Sequence, residues 1–98
     1  QEVEAALYEY PGVAESCVFG LPDERLGELV GAVIHFHAGH GASDDEVLSE
    51  MRERMAAFKV PHRLWIHADP LPRLGTEKID KVGLRKHYQA EWVREAAA

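Results

Sequence analysis

Lys78 is the residue of this sequence whose type and position are most suited to chemistry. It lies within residues 72–81, a stretch that opens with Pro72. Proline lacks an N–H and restricts the residue before it, so Pro72 ends the element that precedes it. Asp80 can cap a helix that begins at Lys81. The pattern therefore predicts a lysine that is presented on a loop held at both ends.

The residues alone leave two interpretations of Lys78 open. Most lysines in loops are solvated and have no chemical role, and composition favours that interpretation. The alternative is a compact cation directed at an anionic substrate, where it would stabilise charge that develops on phosphate or carboxylate oxygens. Spacing does not decide between the two.

The same stretch resembles the C-terminal signature of the adenylate-forming enzymes, which include acyl-CoA synthetases, peptide-synthetase adenylation domains and luciferases. That signature runs Pro-Arg-Thr, two variable positions, Gly-Lys-Ile, one variable residue and a basic residue. The residues that fit it are Pro72, Arg73, Gly75, Thr76, Lys78, Ile79 and Lys81. Leu74 replaces the usual threonine, and Glu77 replaces the usual glycine beside the lysine, which removes backbone freedom there.

Three further segments resemble the same family, in the same order along the chain. Residues 2–4, Glu-Val-Glu, resemble the end of a hinge-side motif whose earlier part is absent from this sequence. Residues 22–28 resemble its Pro-Asp-x-x-x-Gly-Glu stretch, which leads into a strand. Residues 58–61, Phe-Lys-Val-Pro, resemble its Tyr-Lys-x-Pro segment. The resemblance therefore covers nearly the whole chain.

The resemblance implies a two-step reaction. A carboxylate and ATP form an acyl-adenylate and pyrophosphate, and the thiol of CoA then displaces AMP. Lys78 would be the catalytic lysine of the first step, and Arg52 and Arg25 would contact the phosphates of CoA. For Arg52 the alternative is a solvated helix face. Residues 1–98 would form the mobile C-terminal (lid) domain of an AMP-forming acyl-CoA synthetase.

The hinge and the N-terminal domain, which would bind ATP, Mg²⁺ and the acyl group, are expected upstream of Gln1. The domain alone is expected to be inactive and to hold no cofactor. Its implied partners are that N-terminal domain, ATP, a carboxylic acid and CoA, in the cytoplasm and within fatty acid metabolism. Two alternatives stay open: the corresponding subdomain of a nonribosomal peptide synthetase, and a non-catalytic module that retains the fold, which Glu77 favours.

Composition argues against several other classes of function. The 98 residues are 46% hydrophobic and 29% charged, which is typical of one small globular domain. A net charge of −6 argues against general affinity for nucleic acid. No apolar run is long enough to span a bilayer. The single Cys17 lies in an apolar run and is interpreted as a small buried hydrophobe.

The six histidines raise the question of a metal site. His35 and His37 are predicted on one face of a strand, with His40 close by. Zinc normally needs a further protein ligand in defined geometry, and no cysteine or acid stands at a recognisable spacing. We therefore predict no metal site.

The elements that position these residues follow from periodicity. It predicts helices over residues 2–10, 44–57 and from 81 onward, and strands over 13–20, 29–37 and 63–68. Ser43 and Glu46 form a capping-box pattern before the second helix. In the second strand, alternate residues from Val30 to Phe36 are predicted to face the core. We predict an α+β fold, a two-layer domain with a small three-stranded, mainly antiparallel sheet packed with helices.

Overall fold

A computed structural model describes residues 2–98. The described chain contains helices α1 (Glu2–Tyr8), α2 (Asp44–Arg54) and α3 (Lys81–Ala97), and strands β1 (Val13–Asp23), β2 (Gly27–Phe36) and β3 (Arg63–Ile66). A single 3₁₀ turn, Ala57–Lys59, follows α2. The order helix, strand, strand, helix, strand, helix is the predicted one. None of these helices combines the length and the apolar character that a membrane span needs.

The three strands form one sheet in the order β1-β2-β3. β1 and β2 are antiparallel, with Val18 opposite Ala32, as their short connection requires. β3 runs parallel to β2, with Leu64 opposite Ala32, because α2 forms the crossover between them. The sheet is therefore mixed, with its longer pairing antiparallel, and the predicted α+β class is confirmed.

One face of the sheet carries α1 and α2. Leu7 of α1 and Met51 of α2 are fully buried against Ala32, Ile34 and Leu64. Because successive residues of a strand point to opposite faces, Ala32 and Ile34 lie on the same side, as predicted. Each such large side chain stabilises the fold by about 1.5–3 kcal/mol through burial.

The opposite face carries α3. Leu84 and Tyr88 pack there on a second cluster that includes Phe19, Val33 and Trp65. The ring centroids of Trp65 and Tyr88 lie 4.8 Å apart, and those of Phe19 and Tyr88 lie 6.2 Å apart. A two-layer domain has one layer of helices on its sheet. In this structure α3 forms a second layer of helices on the opposite face. For that reason Val33 is as fully buried as its neighbours on the first face.

The free edge of β1 is covered by side chains from α1 and α3. Glu4 Oε2 accepts the N–H of Val18 at 2.9 Å, and Gln89 Nε2 donates to the carbonyl of Gly20 at 2.7 Å. Groups that would otherwise be unpaired on an edge strand are thereby satisfied. These bonds also fix the position of α3, and with it the loop that precedes α3, relative to β1.

The capping box that begins α2 is confirmed. The hydroxyl of Ser43 accepts the N–H of Glu46 at 3.1 Å, and Glu46 Oε1 accepts the N–H of Ser43 at 3.0 Å. Hydrogen bonds from the backbone and then from the hydroxyl of Ser43 lower the pKa of Glu46. The N–H groups of Ser43 and Glu46, which have no acceptor within the helix, are therefore both hydrogen-bonded.

Candidate functional site

Residues 72–80, the signature loop, are closed at their base by backbone hydrogen bonds. The N–H of Leu74 donates to the carbonyl of Lys78 at 3.0 Å, and the N–H of Asp80 donates to the carbonyl of Pro72 at 2.8 Å. The loop is thus a narrow hairpin that projects from the domain. The predicted presentation of Lys78 on a loop held at both ends is confirmed.

The side chain of Lys78 is exposed on this hairpin. The ion pairs formed within residues 2–98 do not include its ammonium group. They do not include Glu77 either, the residue that directly precedes Lys78. Lys81 pairs with Glu4 at 3.3 Å instead. The charge of Lys78 is therefore available to an anion from outside this domain.

Asp80 caps α3, as predicted. Its carboxylate accepts the N–H of Gly83 at 2.9 Å. A Cβ at position 83 would lie 2.4 Å from Asp80 Oδ2. Gly83 lowers helix propensity, and the structure gives the reason for its presence: it leaves room for the cap.

The base of the signature loop is tied to β1 through Glu15, a residue that sequence reasoning did not single out. Glu15 is 8% exposed, and its Oε1 accepts the N–H of Leu71 at 2.8 Å. Its Oε2 pairs with Nη2 of Arg73, whose Nη1 donates to the carbonyl of Glu77. The sequence signal for Glu15 is one acid in a mostly apolar strand, which also fits an ordinary solvent-facing position.

The two arginines predicted to contact CoA lie away from Lys78. Arg25 is exposed in the turn between β1 and β2, and Arg52 is exposed in the last turn of α2. Arg52 lines a surface depression together with Val60 and His62. Neither guanidinium takes part in an ion pair with another described residue.

The neighbouring basic residues, by contrast, are paired. Arg54 contacts Glu9 at 2.8 Å and Glu50 at 3.1 Å. Lys59 contacts Glu2 at 2.7 Å. These two cations therefore join α1 to the segment around α2, whereas Arg52 projects into solvent.

Lys78 and the arginine pair occupy separated surfaces. Glu15, which holds the signature loop, lies near the start of β1, and Arg25 follows the end of the same strand. At about 3.3 Å per residue, the chain between these two positions extends over roughly 30 Å. Arg52 belongs to α2, which packs on the face of the sheet opposite to the cluster of α3 and Leu71.

The histidines make separate contacts. His35 Nδ1 lies 3.0 Å from the carbonyl of His67, and His67 Nδ1 lies 2.7 Å from the hydroxyl of Tyr88. The rings of His37 and His40 meet edge to face at 6.4 Å. Across the described residues, no three His, Cys, Asp or Glu side chains are grouped as metal ligands.

Burial raises the pKa of the Cys17 thiol to about 11. The ordinary value is 9.0, so at neutral pH the thiolate, which is the nucleophile, is about 100-fold rarer than in the unfolded chain. We expect native protein at pH 8 to react with iodoacetamide at least about 100-fold more slowly than protein unfolded in guanidinium. Equal rates in the two states would contradict the burial of Cys17.

The comparisons with known proteins agree with the signature. The family described as the AMP-binding enzyme C-terminal domain matches residues 2–78. A 3-oxocholest-4-en-26-oate–CoA ligase of Rhodococcus rhodochrous is 39% identical over 80 residues, which are 82% of this chain and 14% of that protein. A feruloyl-CoA synthase of Amycolatopsis is 41% identical over 87 residues, 89% of this chain and 18% of that protein.

Solved structures agree as well. ATP-bound MatB from Rhodopseudomonas palustris superposes with a TM-score of 0.82 at 34% identity, covering 90% of this chain and 17% of that one. A fatty acyl CoA synthetase of Mycobacterium tuberculosis gives a TM-score of 0.80 at 34% identity, covering 92% and 18%. This chain thus spans less than a fifth of the length of these relatives. The resemblance is confirmed, and the chain belongs to the family of AMP-binding enzyme C-terminal domains.

Proposed function

We propose that this chain is the mobile C-terminal domain of an ATP-dependent, AMP-forming acyl-CoA synthetase and supplies the lysine of the adenylation step. The exposed and unpaired ammonium of Lys78, on a loop anchored to the sheet, is the observation that supports this most strongly. Two relatives, one named as a CoA ligase and one as a CoA synthase, with identities of 39% and 41%, support the reaction class. The product would be a thioester of a carboxylic acid with CoA.

In the first step, a carboxylate oxygen attacks the α-phosphorus of ATP, and the bond to pyrophosphate breaks. Two anions approach each other, and negative charge develops on the α-phosphoryl oxygens. Lys78 would bind the carboxylate and these oxygens and neutralise that charge. A compact ammonium suits this task better than the planar fork of arginine.

In the second step, the sulfur of CoA attacks the acyl carbonyl carbon, and the bond to the AMP oxygen breaks. Arg52 and Arg25 would bind the CoA phosphates, since arginine forms charge-assisted hydrogen bonds with phosphate oxygens. The roughly 30 Å of chain between Glu15, which holds the signature loop, and Arg25 supports a rotation of the domain between steps, because the two surfaces would not face one reacting centre together.

ATP, Mg²⁺ and the acyl group are assigned to the N-terminal domain. A long-chain fatty acid ligase of M. tuberculosis, 36% identical over 89 residues, supports a role in fatty acid metabolism. We also assign the enzyme to the cytoplasm, where a single unpaired cysteine is compatible with a reducing environment.

Carboxylate-dependent exchange between ATP and labelled pyrophosphate tests the proposal in the full-length protein. We expect exchange with one member of a panel of fatty, aromatic and dicarboxylic acids, followed by thioester formation when CoA is added. Exchange with amino acids alone, and no CoA thioester, would favour the peptide-synthetase alternative. A folded protein that exchanges with no acid would favour the non-catalytic module.

A further inference from the structure

We propose that Glu15 is a positioning residue for Lys78, acting through Arg73. The proposal rests on the proposed function of Lys78 in adenylation. It assigns a role in the first half-reaction to a carboxylate on β1 that does not itself reach the substrate.

The burial of Glu15 is the first observation. A carboxylate that is 8% exposed is unfavourable unless its oxygens are paired, and here both are. Oε1 accepts the N–H of Leu71 at 2.8 Å, and Oε2 pairs with Arg73. Leu71 is itself buried in the cluster beneath α3. Glu15 therefore binds Leu71, which directly precedes the signature loop, and Arg73, which lies within it.

The two arms of Arg73 are the second observation. Nη2 pairs with Glu15, while Nη1 of the same guanidinium donates to the carbonyl of Glu77. The guanidinium is planar and rigid, so holding one arm also directs the other. The carbonyl of Glu77 belongs to the peptide unit whose nitrogen is that of Lys78. Because a peptide unit is planar, fixing this carbonyl also fixes the direction in which the chain enters Lys78.

The contacts therefore form one connected path from the sheet to the lysine. Glu15 is held by its place in β1, Arg73 is held by Glu15, and the Glu77–Lys78 peptide is held by Arg73. The side chain of Lys78 has no partner of its own among residues 2–98 that would fix it. The backbone is thus the means by which this domain can orient its ammonium. A displacement of about 1 Å from a reacting geometry can cost on the order of 100-fold in rate.

The discriminating variant is Glu15→Gln in the full-length protein. Glutamine keeps an oxygen for the N–H of Leu71 and loses the charge that holds Arg73. We expect kcat for adenylate formation to fall about tenfold, with the KM values for ATP and the carboxylic acid within twofold of wild type. Thioester formation from supplied acyl-adenylate should stay within twofold of wild type, because that step does not use the signature loop.

A second variant, Arg73→Lys, tests the hydrogen bond from Arg73 to the carbonyl of Glu77 and leaves Glu15 with a cationic partner. Lysine keeps a positive charge near Glu15 and removes the second donor to the carbonyl of Glu77. We expect the same selective loss of adenylation. The double variant should lose no more than the larger single loss, because residues that act through one path are not additive.

A matched control is Glu91→Gln, which breaks the exposed ion pair between Glu91 and Arg94 on α3. It removes the same charge from the surface of the same domain, and both half-reactions should stay at wild-type rates. Thermal unfolding of each variant is measured alongside the two half-reactions.

The outcomes separate the inference from the function on which it rests. Should Lys78→Ala lose adenylation while Glu15→Gln and Arg73→Lys keep it, the positioning role is wrong and the proposed function stands. Equal losses in both half-reactions would make Glu15 a structural residue only and overturn the inference. Unchanged adenylation in Lys78→Ala would overturn the proposed function itself.

Discussion

Lys78→Ala in the full-length protein should reduce the rate of adenylate formation by on the order of 10²–10³. Alanine removes the ammonium that would neutralise charge on the α-phosphoryl oxygens, and neither Arg73 in the signature loop nor Lys81 directly after it is free to replace it. Arg73 is held by Glu15, and Lys81 pairs with Glu4. Single-turnover formation of the acyl-adenylate, followed by quenching and separation of AMP and pyrophosphate, measures the step directly.

The same variant should form thioester from supplied acyl-adenylate and CoA at nearly the wild-type rate. Lys78→Arg should not restore adenylation, since a planar fork on a longer side chain places its charge differently. Lys86→Ala is the matched control, because Lys86 is another exposed lysine of the same domain, on α3. Equal loss in both half-reactions would contradict the proposed division of labour and would point to a role of Lys78 in docking the two domains.

Local patterns predicted much of what surrounds this lysine. The Ser43–Glu46 capping box and the Asp80 cap depend on residues three apart, and both form as predicted. The alternation along β2 correctly placed Ala32 and Ile34 on one face. Such features depend on short stretches of chain, so one sequence is enough to find them.

Features that depend on distant residues were not predictable in the same way. Glu15 and Arg73 are separated by 58 positions, and nothing local to Glu15 distinguishes it from a solvent-facing strand residue. The burial of Val33 likewise depends on α3, which lies beyond β3 in the chain. The roles of Lys78, Arg52 and Arg25 remain predictions, since they concern ligands that the other domain would present.

Arg52→Glu should raise the KM for CoA about tenfold or more while leaving exchange between ATP and pyrophosphate unchanged. Arg52 is exposed and unpaired beside a surface depression, so its guanidinium is available to a phosphate, and a carboxylate there would repel one. A tenfold change corresponds to about 1.4 kcal/mol, the size expected for one charge-assisted hydrogen bond. Because Arg52 is exposed, the increase in the KM for CoA should become smaller as ionic strength rises.

Arg54→Glu is the matched control for this charge reversal. It lies two residues further along α2 and changes the net charge equally, but its guanidinium is already paired with Glu9 and Glu50. We expect its KM for CoA to stay within twofold of wild type, with at most a modest loss of stability. Equal increases in both variants would mean that CoA responds to the overall charge of the domain and would contradict a contact at Arg52. Lys78→Ala and Arg52→Glu should therefore fail in opposite half-reactions, which is the behaviour expected of one domain that presents two separated surfaces in turn.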